Sequence, residues 1–316
     1  MGSYIVRRVL QIIPLLIGIS ILVFILVNAV PGSPVSDMAF NPSVRPEDIA
    51  RIKHALGLDQ PLYKRYFVWI SHVARGDLGL NMVTYQPVSK DIAARLPNTL
   101  KLTIAAFFIA LVFSIPVGVY SAVRRNSWFD NIGTVLSVAG VSIPNFWFGL
   151  LLILFFSVRL GWFPSGGTAS FGNGSVLDQL HHLILPAFSL AIVELAGWTR
   201  YIRGQMLEVI RQDYIRTAHA KGLRERTVIF RHAFRNAFLP LVTLFGLSIP
   251  SFFSGALIVE TIFSWPGIGR LAYDATVARN YTVIMGTVMM SSALVVVGNL
   301  LADIGYSLLD PRIKQG

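Results

Sequence analysis

Residues 213–240 read DYIRTAHAKGLRERTVIFRHAFRNAFLP, a polar and basic stretch that interrupts an otherwise apolar chain. Helical spacing joins four residues ahead of a glycine: Tyr214, Thr217, Ala218 and Lys221. Gly222 is a natural helix terminator, and a second helical segment with interleaved apolar and basic residues follows it. We therefore predict two short helices bent at Gly222 and held at a membrane surface. Such a shape can lie on anionic lipid or fit a groove on another protein, and the spacing leaves both roles open.

The composition around this stretch is that of a membrane protein. Of the 316 residues, 54% are hydrophobic and 14% are charged, a balance outside that of ordinary soluble domains. The net charge is +11, but the basic residues lie between apolar runs rather than in one patch. This distribution indicates membrane topology and predicts no nucleic-acid partner. The absence of cysteine excludes disulfides, thiolate metal sites and a cysteine nucleophile.

Several apolar runs are long enough to cross a bilayer, whose core of roughly 30 Å needs about 20 helical residues. The predicted spans are residues 9–30, 99–123, 132–158, 180–203, 237–262 and 282–309. The first run is too long for the apolar part of a signal peptide, and no small-residue cleavage site follows it. We predict an all-α polytopic protein with six transmembrane helices, the first of them uncleaved.

Lysine and arginine cluster on one side of these spans. They precede the first span, join the second to the third and the fourth to the fifth, and follow the sixth. The positive-inside rule makes this side cytoplasmic, so both termini are expected there. The predicted location is the cytoplasmic (inner) membrane, with multiple passes and membrane lipid around the spans.

The segment between the first two spans is predicted to form a small helical unit outside the membrane, since long segments translocate largely regardless of charge. Pro46 and the two acids after it are typical of a helix start, Gly57 ends that helix, and a second short helix follows Pro61. This unit either caps the membrane domain or contacts a soluble partner. The predicted organisation has three parts: an N-terminal transmembrane helix at 1–30, the external segment at 31–98, and a five-helix core at 99–316 containing a cytoplasmic loop at 204–236.

Three polar residues inside the spans are candidates for lining a translocation path: Glu194, Asn145 and Asn299. A charged residue in a span costs about 2.5–3.5 kcal/mol, so Glu194 is expected to face a cavity, where it meets a solute amine, or to make a structural hydrogen bond. Asn145 follows Pro144, and a proline in a span can bend the helix or offer a free carbonyl to a pathway. Packing and kinking are the alternative for both asparagines. No metal site is predicted, because His181 and His182 lack partners one helical turn away.

The stretch at 213–240 resembles the cytoplasmic coupling loop of ABC-importer permeases, specifically of the oligopeptide and dipeptide branch. That loop typically reads D-Y-x-R-T-A-x-A-K-G followed by R-H-A-x-R-N-A-x-x-P, and this chain has DYIRTAHAKG and RHAFRNAFLP. Other stretches are similar to the same family: YIVRRVLQIIPLLIGISILVFILVNAVPGSP, LGLDQPLYKRY, GDLGLNM, ETIFSWPGIGRL and DPRIKQG. The resemblance covers the chain from Tyr4 to Ile313.

This resemblance implies a type I ABC importer permease fold and a coupling role for the helix that ends at the glycine. In the family that helix sits in a cleft of a cytoplasmic ATPase and transmits nucleotide-driven closure to the spans. The implied coupling residues are Tyr214, Arg216, Thr217, Ala218, Lys221, Gly222 and Leu223. Arg216 departs from the glutamate of the wider superfamily, although arginine is usual in the peptide branch. His219 stands where that branch often has arginine.

The resemblance also implies a set of partners: a homologous second permease subunit, two ATP-binding subunits and an extracytoplasmic solute-binding protein. The chain has no G-x-x-x-x-G-K-[ST] loop to cradle phosphates. It is therefore expected to bind no cofactor and to be no enzyme, with ATP and Mg used by the partner ATPase subunits. The implied function is to form half of the path by which an ATP-driven importer moves oligopeptides or dipeptides across the membrane.

Three alternatives stay open at this point. Permeases of the same type for nickel, glutathione or another small solute share these motifs. A solitary ion-coupled carrier would want repeated halves and buried ionisable groups near the midplane, and the sequence shows no convincing repeat and few such groups. The basic stretch could also serve as a lipid-surface anchor with no ATPase involved.

Overall fold

A computed structural model describes residues 2–29, 59–172 and 174–309, with side chains for most of them. Within these ranges the regular structure is helical, and an isolated antiparallel bridge joins Leu80 to Pro87. The helix predicted from Pro46 to Gly57 and the C-terminal residues 310–316 lie outside the described residues. The helices are α1 Gly2–Ala29, α2 Leu62–Val73, α3 Val88–Val123, α4 Trp128–Ser142, α5 Asn145–Leu152, π1 Ile153–Arg159, α6 Val176–Ile210, α7 Asp213–Ala220, α8 Glu225–Thr227, π2 Val228–Phe234, α9 Arg235–Leu247, α10 Ile249–Ile262, α11 Ile268–Val277 and α12 Tyr281–Leu309.

Among the described residues, five helices are long and apolar enough to cross a membrane, and a bent pair makes a sixth span if counted as one. The five are Leu10–Ala29, Val88–Val123, Val176–Ile210, Pro240–Ile262 and Tyr281–Leu300. The second of these five, α3, begins at Val88, eleven residues before the predicted span at 99–123. The predicted spans therefore correspond to the observed helices, with longer ends where the helices continue beyond the apolar run.

The third predicted span, at 132–158, is broken rather than continuous. Trp128–Ser142 and the helix from Asn145 to Arg159 meet at an angle of 110°. Pro144 has no N–H to donate and its ring disfavours helical backbone at the preceding residue, so Ile143 takes extended angles, φ −82° and ψ 125°. The kink expected at Pro144 is thus a sharp corner that starts a new helix at Asn145.

The core of the molecule is the α3–α6 pair. A Cβ atom at Gly118 would lie 2.8 Å from Ile202 Cβ and 2.9 Å from the Thr199 carbonyl oxygen, so only glycine lets these helices approach so closely. Trp198 is 1% exposed and its ring lies 4.5 Å from Phe245 and 5.5 Å from Phe107. In lipid, close packing of this kind is what holds helices together, because the solvent itself is apolar.

The bundle has two differently built ends. The hairpin end carries α7 to π2 and the short turn between α3 and α4. The opposite end carries the start of α3 and all of α11, where Val88, Ile268 and Val283 are buried together. Asn280 Nδ2 donates to Asn81 Oδ1 at 2.7 Å there, which ties the chain before α3 to the chain before α12.

The helix predicted after Pro61 is present as α2, which packs on α1. Tyr66 OH lies 2.9 Å from Ser20 Oγ, and the Phe24 ring centroid lies 5.5 Å from that of Tyr66, edge to face, and 5.6 Å from that of Trp69. Arg65 donates to Asn28 Oδ1 at 2.6 Å. These polar and aromatic contacts attach this part of the segment between the first two spans to the first span.

Candidate coupling site

The short helix α7 is anchored to the bundle by two apolar side chains. Ile215 is 2% exposed and Ala218 is 6% exposed, and both belong to the same buried cluster as Trp198 and Phe252. Sequence analysis gave Ile215 no role, although its spacing of three residues from Ala218 could have marked the buried face. Because both anchors lie in the main core, α7 is continuous with the spans rather than a loose appendage.

The end of α7 is fixed by a glycine in the left-handed region. Gly222 has φ +72°, its N–H donates to the His219 carbonyl at 2.9 Å, and the Leu223 N–H donates to the Ala218 carbonyl at 3.4 Å. This pair of bonds is the Schellman arrangement, in which a glycine just past the helix satisfies the last carbonyls. The prediction that Gly222 terminates the helix is confirmed by this geometry.

The residues predicted to couple to an ATPase fall on two faces of α7. Exposed residues form the outer face: Tyr214, Arg216, Thr217, Lys221, Gly222 and Leu223. Ala218 is the exception, because its side chain is buried against the bundle and offers no outward contact. Arg216 lies 3.4 Å from Asp213 in a fully solvated ion pair, which contributes little to stability. We name the exposed set the α7 outer face.

Beyond Gly222 the chain returns through the predicted second helical segment, but not as a regular α-helix. One turn, α8, runs directly into the π-helix π2 and then into α9. Val228 and Ala233 are buried, while the arginines of this segment are exposed. Asn236 Nδ2 donates to Tyr214 OH at 3.1 Å, which links the returning chain to α7. The two arms of the hairpin thus support each other.

Glu194 on α6 and Asn145 on α5 both lie against α10, along one seam. Ser251 Oγ donates to Glu194 Oε1 at 2.5 Å. One turn further along α10, a Cβ at Gly255 would lie 3.8 Å from Asn145 Nδ2. Asn145 Oδ1 is buried and has no hydrogen-bond partner among the described residues. The seam therefore presents two oxygen acceptors, of which Asn145 Oδ1 is buried and Glu194 is half-buried.

Among the described residues, no contact joins Asn299 to Glu194 or Asn145. It lies on α12 with an exposed side chain, and its neighbour Gly298 packs against Ile249. A cleft of about 430 Å³ opens beside Glu194 toward the hairpin end. Its lining is Glu194, Gly197, Trp198, Arg200, Tyr201, Gly204, Gln205 and Leu244.

A buried carboxylate at the opposite end was missed by sequence analysis. Glu260 is 0% exposed; its Oε1 accepts from Thr99 Oγ1 at 2.7 Å and its Oε2 from the Arg270 N–H at 3.1 Å. Thr99 Oγ1 in turn accepts from the Ile268 N–H at 2.8 Å. The carboxylate thereby caps the first turn of α11, where the helix dipole favours negative charge. Glu260 opens the quoted motif ETIFSWPGIGRL, but its main partner is 161 residues away.

A second carboxylate without a predicted role fixes the turn at the hairpin end. Arg203 donates to Asp130 Oδ1 at 2.5 Å and to Oδ2 at 2.8 Å, a bidentate pair. Asp130 Oδ2 also accepts the N–H of Asn126 at 2.9 Å. Sequence analysis treated the arginines here as topology markers, and only the Ser127-x-x-Asp130 helix-start pattern could have suggested more.

The described residues contain no group of three or more histidine and carboxylate side chains able to hold a metal ion. His181 Nε2 lies 2.7 Å from the Trp162 carbonyl oxygen, and His182 Nδ1 lies 2.9 Å from the Asp178 carbonyl oxygen. The adjacent histidines thus serve to hold the chain near the start of α6.

A bundle of broken and unbroken spans with an anchored basic hairpin at one end is the build of a membrane transport subunit. Family models match both parts of the chain: "Binding-protein-dependent transport system inner membrane component" over residues 114–315 and its N-terminal counterpart over residues 1–103. The chain belongs to this family and is a permease subunit of an ABC importer of the peptide branch. It is a multi-pass inner-membrane protein and no enzyme, since separate ATPase subunits hydrolyse ATP.

Curated relatives match over nearly the whole chain. The oligopeptide transport system permease protein AppB of Bacillus subtilis is 49% identical over 99% of this chain and 100% of its own length. The di/tripeptide transport system permease protein DppB of Pseudomonas aeruginosa is 41% identical over 100% of this chain and 99% of its own length. The glutathione permease GsiC of Salmonella choleraesuis is 39% identical over 99% of both chains.

The fold is similar to that of a solved importer. The MetNI methionine ABC transporter, in inward-facing conformations, matches with a TM-score of 0.50 over 68% of this chain and 95% of the compared chain. At 17% identity this likeness concerns the fold alone. It agrees with the predicted type I importer permease architecture.

Proposed function

We propose that this permease carries oligopeptides or dipeptides, as half of a path completed by a homologous second permease. Two ATP-binding subunits drive the cycle with ATP and Mg, and a solute-binding protein delivers the peptide. The names of the two most similar relatives quoted above support peptide as the solute. Glutathione, itself a tripeptide, is the alternative that a specific observation favours, because a relative named for it is 39% identical.

The coupling role of the α7 outer face is the centre of this proposal. One observation carries it: α7 is exposed on one side and anchored by Ile215 and Ala218 in the main core on the other. A partner that grips the exposed side therefore moves the buried side with it, and the spans follow. Tyr214, Arg216 and Lys221 are the side chains expected to meet an ATPase surface.

The orientation follows from the same assignment. If α7 meets a cytoplasmic ATPase, the hairpin end is cytoplasmic, both termini lie on that side, and residues 31–98 face outward. The exposed arginines at the hairpin end, among them Arg124, Arg125 and Arg211, support this orientation. Residues 31–98 are then placed to cap the membrane domain or to receive the binding protein.

The composition of the transporter is tested by gentle extraction of the tagged protein from its native membrane, followed by mass spectrometry of what co-purifies. We expect a second permease and ATP-binding subunits. Recovery of the chain alone under several mild detergents would contradict the proposal and favour a solitary carrier.

The solute is tested by uptake into cells that carry or lack this gene. We expect labelled-peptide uptake to be lost on deletion, and excess unlabelled di- or oligopeptide to compete more strongly than glutathione or nickel. Unchanged peptide uptake in the deletion strain would rule out the peptide assignment, while stronger competition by glutathione would transfer it to the alternative.

We further propose that Glu194 and Asn145 line the path, with Glu194 accepting the amino terminus of the peptide; Asn299 stays a prediction. Replacing Glu194 by glutamine removes the charge that pairs with an amine, so we expect uptake of free-amine peptides to fall about tenfold. Uptake of an N-acetylated peptide should fall much less.

A serine pair on α10 provides the control. Ser251 Oγ lies within hydrogen-bond distance of Glu194 and of the Ser248 carbonyl, whereas Ser254, also exposed, donates to the Pro250 carbonyl and does not reach Glu194. We expect Ser251→Ala to shift uptake in the direction of Glu194→Gln and Ser254→Ala to have no effect. Equal losses for free-amine and N-acetylated peptides would show that Glu194 is structural.

A further inference from the structure

A basic pocket lies at the hairpin end, between the α3–α4 turn and the last turns of α6. It has a volume of about 570 Å³, and most of the residues that line it have polar or charged side chains. The lining residues are Arg125, Asn126, Arg203, Gly204, Leu207, Glu208, Arg211 and Gln212. We call it the α3–α6 basic pocket. It lies beside the coupling hairpin without including any residue of the α7 outer face.

The wall of this pocket is preorganised by Asp130. The buried carboxylate holds Arg203 in a bidentate pair and accepts the Asn126 N–H, which keeps Asn126 at φ +63° in the turn. Ser127 Oγ accepts the Asp130 N–H at 3.3 Å and so fixes the start of α4. These hydrogen bonds hold the turn that carries Arg125, so little backbone ordering is needed when a ligand binds.

Two guanidinium groups in the pocket are free to take an anion. Arg203 is neutralised by Asp130, but Arg125 and Arg211 are exposed and form no ion pair within the described part of the chain. Glu208 also lines the pocket and reduces its positive potential. The remaining positive charge is that of two arginines set against one carboxylate, which suits a compact anion with several acceptor oxygens.

The surroundings place this pocket at the level of lipid headgroups. Trp128, at the start of α4, is 77% exposed, and Tyr120 is 49% exposed with its ring 4.8 Å from Phe129. Tryptophan and tyrosine collect at membrane–water interfaces. On the span below the turn, Val135 and Leu136 are 66% and 65% exposed, as expected of a lipid-facing surface.

We infer that the α3–α6 basic pocket binds the phosphate of an anionic phospholipid headgroup through Arg125 and Arg211. The two exposed arginines supply the positive charge, and the α3–α4 turn held by Asp130 fixes the position of Arg125. The neighbouring aromatic and apolar surface contacts the glycerol and acyl chains of the lipid. This inference does not depend on which solute the importer carries.

The test uses the complete transporter, purified with its partner subunits and titrated with phosphatidylglycerol or phosphatidylcholine in lipid nanodiscs, with retained lipid measured by native mass spectrometry. We expect selective retention of phosphatidylglycerol by the wild type. Arg125→Gln and Arg211→Gln should each weaken it about fivefold and the double variant about 25-fold. Glu208→Gln should strengthen it, because it removes the opposing charge.

The matched control is Arg226→Gln with Arg231→Gln, which removes the same charge from exposed positions of the hairpin outside the pocket. We expect it to leave phosphatidylglycerol retention within about twofold of the wild type. Three results would overturn the inference: equal retention of phosphatidylcholine, equal losses in the control and pocket variants, or full displacement of the lipid by millimolar inorganic phosphate. The last result would reassign the pocket to a free phosphate compound.

Discussion

Replacing Gly222 by valine should lower peptide uptake about a hundredfold while the protein still inserts and folds, because a coupling free energy of about 3 kcal/mol between two sites corresponds to that factor. The residue at 222 has φ +72°, where a β-branched side chain is strongly disfavoured, so the Schellman end of α7 would open. A Cβ at this position meets nothing within 4 Å in the chain itself. The uptake is therefore expected to fall because the end of α7 no longer couples to the ATPase, and not because the valine side chain clashes within the chain.

The measurement is ATPase stimulation by peptide-loaded binding protein in proteoliposomes, together with uptake. Gly222→Asn is the matched variant, because asparagine tolerates the left-handed region while adding a side chain. If the backbone conformation is what matters, Asn should retain most of the activity that Val loses. Normal uptake and normal ATPase stimulation in the valine variant would refute the coupling role of α7.

Replacing Gly267 by alanine should destabilise the folded protein by about 3 kcal/mol, a loss of roughly 5 °C in thermal midpoint for a chain of this length. Gly267 has φ −104° and ψ −173°, which any residue adopts, so backbone strain is not the cause. A Cβ there would lie 2.2 Å from Glu260 Oε1 and 2.3 Å from its Cδ. The carboxylate would have to leave Thr99 and the Arg270 N–H, and buried partners would lose their bonds.

Thermal unfolding in detergent measures this effect, and a double-mutant cycle assigns it. Glu260→Ala alone should be strongly destabilising because it leaves buried donors without an acceptor, whereas in the Gly267→Ala background it should cost much less. Gly18→Ala is the control, since a Cβ at Gly18 meets nothing within 4 Å and alanine favours a helix. Strict additivity of the Gly267 and Glu260 effects would contradict the proposed clash.

The elements that could be predicted from the sequence are those encoded locally. Apolar runs of sufficient length located the spans, and Gly222 located the end of α7, because left-handed backbone favours glycine. The alternation of apolar and basic residues after Gly222 predicted a second helical segment, and in the structure its Val228 and Ala233 are buried while its arginines are exposed.

What could not be predicted depends on residues far apart in the chain. Pro144 indicated a kink, but the angle of 110° depends on how α5 packs against α6 and α10. That packing is close: a Cβ atom added at Gly149 would lie only 3.0 Å from Ser189 Oγ. Asp130 meets Arg203 across 73 residues, and helical spacing alone does not reveal such a pair. For the same reason the resemblance placed Ala218 among the coupling residues without indicating that the fold turns its side chain inward.

The length of α6 gives the anchored hairpin a mechanical meaning. This helix has 35 residues, which at 1.5 Å per residue makes a rod of about 52 Å. The hairpin is joined to one end of the rod, and the start of α6 lies at the other. A tilt of about 5° imposed at the hairpin displaces the far end by roughly 4.5 Å, enough to open or close a gap the width of a peptide backbone. Because Ile215 and Ala218 anchor α7 in the same core as α6, most of this movement is transmitted from the hairpin to the helix.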